Sequence, residues 1–517
     1  MIKKLTRKRQ KSINIGYNKL KAEGRLDFLE YLESVLTNTK LDHVKLDQVC
    51  HSYNPDVELS VRQYISMRVL SYKFNKSLLY SIGSNSPLRH PLPKEWRREL
   101  INQGVEVDCL SSAFLFFVYS LVYWMSGVLQ GIKAIPVFFN KAPLLGRYIY
   151  FDHLIKNRNN NCFSENSDSH NIINWYLKWR NKSEKIKNIR HSVSSHSNFK
   201  LGNISITNNG FYPSLSKIKL FQYLYFLVSL SLYYLATLIV RPYQGWLFAE
   251  IIKVKIFELA DQGKLAEDYL FNNSNNFYRP MWTFLVENKG SRVIFYFYSI
   301  NDEAFKRNGR YPSHNQLHLM SWPYYLVWDR HHADFIKRLN QRNSIIEEVG
   351  VTWFSSGKMG VEICSNSIAV FDVTPSDWSL YITYGAPLEY YIYSISNKFV
   401  VDIYTTLKSN NIFTVFKTKR IDKAKSCNKY VANLKQLNRN SDFTMLDPGI
   451  APLQVIKKTK ACISAPFTST ALIAKSEGKP SVYYDPSGII DKTDRAAHDI
   501  PVLSNIDELQ EWVESIN

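Results

Sequence analysis

Two long stretches in the first half of the chain carry no charged residue: Cys109–Ile132 (CLSSAFLFFVYSLVYWMSGVLQGI) and Leu220–Val240 (LFQYLYFLVSLSLYYLATLIV). Each is longer than the roughly 18–20 apolar residues that mark a candidate membrane span. Both hold several tyrosine or tryptophan residues, which favour a bilayer interface. A pair of buried core helices would give the same pattern. The flanks are basic: residues 133–219 hold 14 Lys/Arg against 4 Asp/Glu, and residues 1–25 and the chain after Arg241 are basic too. Positive segments stay on the cytoplasmic side. Two helices lying in the cytoplasmic leaflet, with Lys and Arg gripping an anionic membrane surface, satisfy these charges better than two spans.

From about Phe257 the pattern changes to short apolar runs alternating with amphipathic ones. SRVIFYFYSI (291–300) reads as a buried strand. YYLVWDRHHADFIKRL (324–339) reads as a strand feeding a helix, and IIEEVGVTWF (345–354) ends in another strand. NSIAVFDVTP, IFTVFKTKR, DFTMLD, ACISA and PSVYYD are the strands that follow. Helices are expected over Pro387–Leu407, Tyr430–Asn438, 451–460, the run after Pro466, and Ile506–Asn517. A βαβ series of this kind predicts an α/β protein with parallel sheets covered by helices. The expected division is a basic, mostly helical region over 1–240, a first Rossmann-like unit over 241–358, a second over 359–505, and a terminal helix over 506–517 near their junction. Ligands of such sheets sit at the carboxyl ends of the strands. That rule gathers Asp372, Lys417–Arg420, Asp447 and Ala465–Thr470 on one edge.

A length of 517 residues agrees with two or three domains. The six cysteines include no CxxC pair, which argues against a zinc ribbon or a disulfide scaffold and fits a reducing compartment. No cleavable leader is visible, because residues 1–25 lack an apolar core. The net charge of +20 admits nucleic acid, an anionic membrane or a phosphorylated substrate as partner. The basic residues are spread, and no zinc finger, helix-turn-helix or RNP-like motif occurs, so no nucleic-acid partner is expected.

ACISAPFTSTALIAKSEGKPSVYYDPSG (461–488) concentrates the chemistry. Thr468, Ser469 and Thr470 fall where the first N–H groups of a helix are unpaired and its dipole is positive. Hydroxyls with free amides suit an anion, most naturally a phosphate. Lys417, Lys419 and Arg420 on a neighbouring strand end are placed to neutralise it. Simple helix capping and a solvated strand end are the plainer readings of these two groups. Neither a Walker A motif nor GxGxxG occurs, which disfavours ATP and dinucleotides.

SAPFTSTALIAKSEGKPSVYYDP resembles the signature of a bacterial polysaccharide-biosynthesis family named for its PFTS motif, here Pro466–Ser469. FNNSNNFYRPMWTF, FYFYSINDEAF, WPYYLVWDRHHADFIKR, VGVTWF, IAVFDVTP, DKTDRAAHDIPVL and LQEWVE are similar to further blocks of that family, over about the last 250 residues. The resemblance implies a GT-B-like layout of two Rossmann-like domains facing a cleft, the second binding a nucleotide-sugar. Within that group the chain looks closest to enzymes using CMP-linked acidic sugars, such as sialyltransferases. Those place a serine/threonine pair on the donor phosphate, matched by Thr468 and Ser469. Where they carry His-Pro, this chain has FKTKR, with Lys419 at the histidine position. Many UDP-sugar enzymes hold the ribose with a glutamate at the position of Ile473, so its absence favours CMP.

The implied donor site is Lys417, Lys419, Arg420, Asp447, Ser464, Pro466, Phe467, Thr468, Ser469 and Thr470. Transfer at an anomeric carbon needs a base for the acceptor hydroxyl and charge stabilisation for the leaving phosphate. Asp302, Glu303 and Asp329 are the candidate catalytic acids; each also suits a helix N-cap or first-turn charge. His331 and His332 lack metal-ligand spacing and read as surface or acceptor contacts. Trp322, Tyr324 and Trp328 suit sugar stacking or core packing. No DxD occurs, so no metal and no cofactor beyond the nucleotide-sugar substrate is expected. The acceptor is a glycan or lipid-linked, and the expected place is the cytoplasmic face of the bacterial inner membrane. A non-catalytic membrane scaffold of a polysaccharide assembly complex is the alternative.

Overall fold

The computed structural model describes residues 2–41, 55–70, 72–139, 148–152, 172–181, 186, 188–192, 198–208, 212–273, 277–300, 302–307, 309–312, 317–339, 343–352, 362–383, 385, 388–418 and 426–516. Lys419, Arg420 and Pro387, the expected first residue of a helix, lie outside the described residues.

Five helices open the chain: α1 (Ile2–Ala22), α2 (Phe28–Asn38), α3 (Pro55–Val69), α4 (Tyr72–Ser84) and α5 (Lys94–Asn102). They brace both later units. Ser60 of α3 hydrogen-bonds Ser321 at 3.0 Å, Glu30 of α2 pairs with Arg307 at 2.9 Å, and Lys21 of α1 pairs with Glu389 at 2.7 Å. The first apolar run forms α6 (Cys109–Ala134), capped by Asp108, which accepts from Ser111 N–H.

The first sheet follows. Its elements are β1 (Tyr148–Phe151), α7 (Ile172–Arg180), β2 (Asn188–His191), β3 (Phe199–Leu201), β4 (Ile204–Thr207), α8 (Ile218–Thr237), α9 (Tyr243–Leu259), β5 (Asp268–Asn272), α10 (Trp282–Asn288), β6 (Arg292–Tyr296), β7 (Tyr324–Val327), α11 (Arg330–Leu339) and β8 (Ile345–Glu348). The strands run β3-β4-β2-β1-β5-β6-β7-β8, all parallel except the β3–β4 pair. The sequence pattern confines this unit to 241–358 and makes 1–240 mostly helical. The structure instead draws β1–β4, from residues 148–207, into the sheet. Those strands are only three or four residues long and set among polar stretches, too short for alternation to show.

The second unit contains β9 (Ser367–Phe371), α12 (Trp378–Thr383), α13 (Tyr393–Ser409), β10 (Phe413–Lys417), α14 (Asn428–Leu437), β11 (Phe443–Met445), α15 (Pro452–Lys458), β12 (Ala461–Ser464), α16 (Ser469–Ser476), β13 (Ser481–Tyr484), β14 (Val502–Leu503) and α17 (Ile506–Ser515). Its strands run β11-β10-β9-β12-β13-β14, all parallel. Counted from β9, this is the 3-2-1-4-5-6 order of a doubly wound Rossmann sheet. β9 (SIAVF) and β12 (ACIS) are buried throughout, as strands covered on both faces must be. The α/β architecture of two Rossmann-like units therefore stands as expected. The terminal helix differs in place: α17 lies on α13 inside the second unit, with Leu509 and Val513 in its core, rather than at the junction.

α6, α8 and α9 form a three-helix layer on the first unit. Small residues let α6 and α9 approach closely. Gly127 faces Phe248 and Ala249, and Gly245 faces Ser120 and Tyr234, so a Cβ at either glycine would overlap its neighbours. Gly245→Ala should destabilise the protein by about 1–3 kcal/mol through overpacking. Gly263→Ala, where nothing lies within 4 Å of an added Cβ, should be near neutral. Urea unfolding of the two variants measures the contrast; equal effects would mean that the helices do not pack this way.

Candidate active site

In a doubly wound sheet, the crevice opens where the strand order reverses. In the second unit that point lies between β9 and β12. Parallel register sets Lys417 and Ser464 beside Phe371, and Ser464 also beside Tyr483. The residues leaving these strands, Asp372, Thr418, Ala465 and Asp485, therefore share one edge. A small pocket opens there, lined by Asp372, Tyr390, Tyr430, Ala465, Pro466 and Pro486 among others. At about 20 Å³ it holds roughly one water molecule. Asp372 is buried at its rim and accepts from Tyr430 Oη at 2.8 Å.

The β12–α16 turn carries Pro466, Phe467, Thr468 and Ser469. Phe467 has φ 53°, in the left-handed region that favours glycine. Its ring is buried edge-on against Phe305 at 5.1 Å and Tyr483 at 5.4 Å. Thr468 takes extended backbone and caps α16, but its hydroxyl donates back to Ala465 O at 2.9 Å. Thr470 Oγ1 shares hydrogen bonds with Ser464 Oγ at 2.8 Å and Thr468 Oγ1 at 3.1 Å. Ser469 points the other way and accepts the backbone N–H of Ile300, from the first unit, at 3.1 Å.

These bonds alter the expected phosphate clamp. Thr468 and Thr470 commit their hydroxyls to the turn, whereas the Ser469 oxygen accepts at the seam between the units and its O–H can still donate. Lys417 turns toward the β11–α15 loop. Its ammonium donates to Thr418 O at 3.4 Å and Pro448 O at 3.3 Å, and it shares no partner with Thr468. Burial pushes its pKa down to about 8, with the charges of Asp372 and Asp447 opposing. Asp447 itself is exposed and folds its carboxylate onto Gly449 N–H at 2.6 Å.

Three carboxylates of the first unit take three different roles. Asn273, just past β5, donates to Asp302 at 2.8 Å, which ties it close to the β1/β5 reversal of the first sheet. Glu303 is buried between Arg338, at 2.9 Å, and Arg495 of the second unit. Asp329 opens α11, accepting His332 N–H at 2.9 Å, and pairs with Nδ1 of His498 at 2.8 Å. Burial works against its charge, yet His498 and the His332 N–H hold its pKa below the usual carboxylate value. An ionised Asp329 requires that Nδ1 donate, and in the neutral imidazole Nε2 of His498 is then the acceptor. Nε2 has no hydrogen-bond partner among the described residues.

Sequence reasoning missed His498 and Arg495. DKTDRAAHDIPVL is conspicuous as a polar, non-periodic loop between the last two strands of a parallel sheet, and that was the available signal. His498 and Asp499 both have left-handed backbone, at φ 53° and 58°, which turns the imidazole across the seam. Asp499 takes His331 at 2.7 Å and Arg330 at 2.8 Å, and Lys475 of α16 donates to His498 O at 3.0 Å. His332 is not a surface residue. It is buried against Phe297, and burial pushes its pKa down to about 3. Trp322 and Trp328 are likewise core residues, and Tyr324 is half-buried.

The model of the polysaccharide biosynthesis PFTS motif protein family matches residues 233–513, more than half of the chain. No curated protein matches the chain. Among solved structures, the UDP-GlcNAc 2-epimerase of Methanocaldococcus jannaschii is similar at 10% identity over 71% of this chain and 91% of that one, with a TM-score of 0.37. The glycosyltransferase VinC in complex with DTDP is similar at 10% identity over 72% and 90%, TM-score 0.35. The spinosyn forosaminyltransferase SpnP is similar at 7% over 72% and 90%, TM-score 0.34. All three TM-scores are below 0.5, so no part of the site is carried over from them.

Lys417 gives this edge a pH signature. Its folded pKa lies below the unfolded value of about 10.4, so between pH 8 and 10.4 the unfolded chain holds a proton that the folded chain has released. Stability from this group therefore rises with pH across that window, by on the order of 3 kcal/mol. Lys417→Met should lack the rise. Urea unfolding of parent and variant at pH 7.5 and pH 10 checks it; parallel behaviour would show that the ammonium is not buried.

Proposed function

The chain belongs to the polysaccharide biosynthesis PFTS motif family, and from that premise we propose that it is a glycosyltransferase of bacterial surface polysaccharide synthesis. It moves a sugar from a nucleotide-sugar to a glycan or lipid-linked acceptor. The observation that carries this reading is the Asp329–His498 pair, which joins the carboxyl end of β7 to the loop before β14 across the seam between the two units.

Nε2 of His498 takes the proton of the acceptor hydroxyl. Asp329 holds the Nδ1–H tautomer and stabilises the imidazolium that forms. The freed oxygen attacks the anomeric carbon while the bond to the donor phosphate breaks, its electron pair leaving with the phosphate. The first N–H groups of α16 offset that charge, and Lys417, still largely protonated at neutral pH, swings from Thr418 O and Pro448 O to join them. Asp302 orients the acceptor, whereas Glu303 is held as an ion-pair partner by its two arginines. CMP is the proposed nucleotide. Ile473 is buried in the core of α16, so no carboxylate projects from that position to take a ribose. The pocket beside Asp372 is too small for a nucleotide as it stands, so its lining must open to admit one.

Thermal shift against CMP, UDP and GDP tests the reading first: CMP should raise Tm by several degrees. A chain that binds none of the three is better described as a non-catalytic scaffold. With a turnover assay in hand, His498→Asn, a residue that tolerates left-handed backbone, should lower kcat by roughly 10²–10⁴ with little change in donor KM. Asp329→Asn should lower it in the same direction. An unchanged kcat in both variants would place the base elsewhere.

A further inference from the structure

We propose that α6 and α8 lie side by side in the plane of an anionic bilayer leaflet, with one face immersed, and do not cross it. This inference does not depend on the reaction proposed above.

The apolar spans containing these helices are only 22% and 17% buried. More than half of the exposed large apolar side chains among the described residues lie on them and on the turns that end them. The exposed positions recur at steps of three and four residues, as in Phe221, Tyr225, Val228, Leu232 and Leu235 on α8. Each helix thus has one outward stripe. The two run antiparallel: Ser120 meets Tyr234, while Gly131 near the other end of α6 accepts from Tyr223 Oη at 2.8 Å. Their stripes therefore lie next to each other over the second half of α6, from about Ser120 on.

The inner faces exclude a crossing. α6 rests on α9, Phe116 and Tyr123 stacking on Trp246 at 5.2 and 4.4 Å. α9 is about 26 Å long, close to the roughly 30 Å of a hydrocarbon core. It carries Glu250, Lys253, Lys255 and Glu258, and its far side packs on Trp282 through Phe257. Standing α6 upright in a bilayer would pull this charged helix, and the sheet behind it, into hydrocarbon at several kcal/mol per unsatisfied group. Lying flat immerses only the outward stripes, to a depth of about 5–10 Å.

The charge pattern selects lipid as the occupant. Neither helix contains an acidic residue. Lys133 and Lys217 are exposed at the end that the two helices share, with Lys217 over the Phe139 ring at 5.7 Å. Anionic headgroups complement such a rim. A second copy of the chain docked face to face would bring a second Lys133 and Lys217 against the first.

Flotation of the purified full-length chain with phosphatidylcholine vesicles, and with vesicles half phosphatidylglycerol, is the first test. At least tenfold more protein should float with the anionic vesicles. The double substitution Leu129→Glu, Val228→Glu should cut the bound fraction at least tenfold while the circular dichroism spectrum stays unchanged. Undiminished flotation of that variant, or a parent that ignores both vesicles and runs as a dimer, overturns the proposal. Depth is the second test and needs no destabilising charge. Nitroxides placed singly at Val122, Leu129, Val228 and Leu235, in a chain with Cys50, Cys109, Cys162, Cys364 and Cys427 each replaced by serine, should all report similar shallow depths by power saturation. Labels stepping through the bilayer midplane would establish spanning helices instead.

Discussion

Phe467 is held in left-handed backbone because its ring has nowhere else to go: Phe305 of the first unit and Tyr483 of the second close on it from two sides. A bulky residue there stores about 1–3 kcal/mol of strain, and such strain persists only where surrounding packing over-determines it. Much of the site depends on this turn. It ends β12, starts α16 two residues after Phe467, and delivers Ser469 to the backbone of Ile300. At its other end α16 holds the carbonyl of His498 through Lys475. One short helix thereby ties the family motif to the Asp329–His498 pair.

Charges then fix the two units in register. Glu303, buried between Arg338 and Arg495, and Lys306, paired with Asp491 at 2.7 Å, cross the seam beside the aromatic contact. Removing one member of a buried set of this kind leaves an uncompensated charge and is strongly destabilising, although the intact set adds little net stability. Its contribution is alignment: Asp329 and His498 come from different units, and their hydrogen bond needs that alignment.

Strands β9–β13 were legible because each is a short, largely apolar run bounded by turn residues, and the carboxyl-edge rule then gathered Asp372, Lys417 and Ala465 on the edge they share. The strands β1–β4 were not, since four residues such as NIRH or ISIT carry no readable period. Which way the hydroxyls point was beyond the sequence as well. Thr468 could cap, bind an anion or close its own turn, and only the left-handed Phe467 before it decides for Ala465 O. His498 escaped notice because its reach across the seam depends on two successive non-glycine residues in left-handed backbone, a conformation that no composition announces. His332 was misread for a simpler reason. Its neighbour His331 does reach Asp499 at the surface, and the two differ only by the turn of one helix.

The most direct measurement is a crystal structure of the full chain with CMP bound. The phosphate should sit at the N-terminal N–H groups of α16, within reach of Lys417, and the nucleoside in an enlarged pocket beside Asp372 and Pro466. Nε2 of His498 should open toward the space where an acceptor would lie. A nucleotide seated away from the β9–β12 reversal, or a His498 ring that remains sealed from the bound phosphate, would contradict this arrangement.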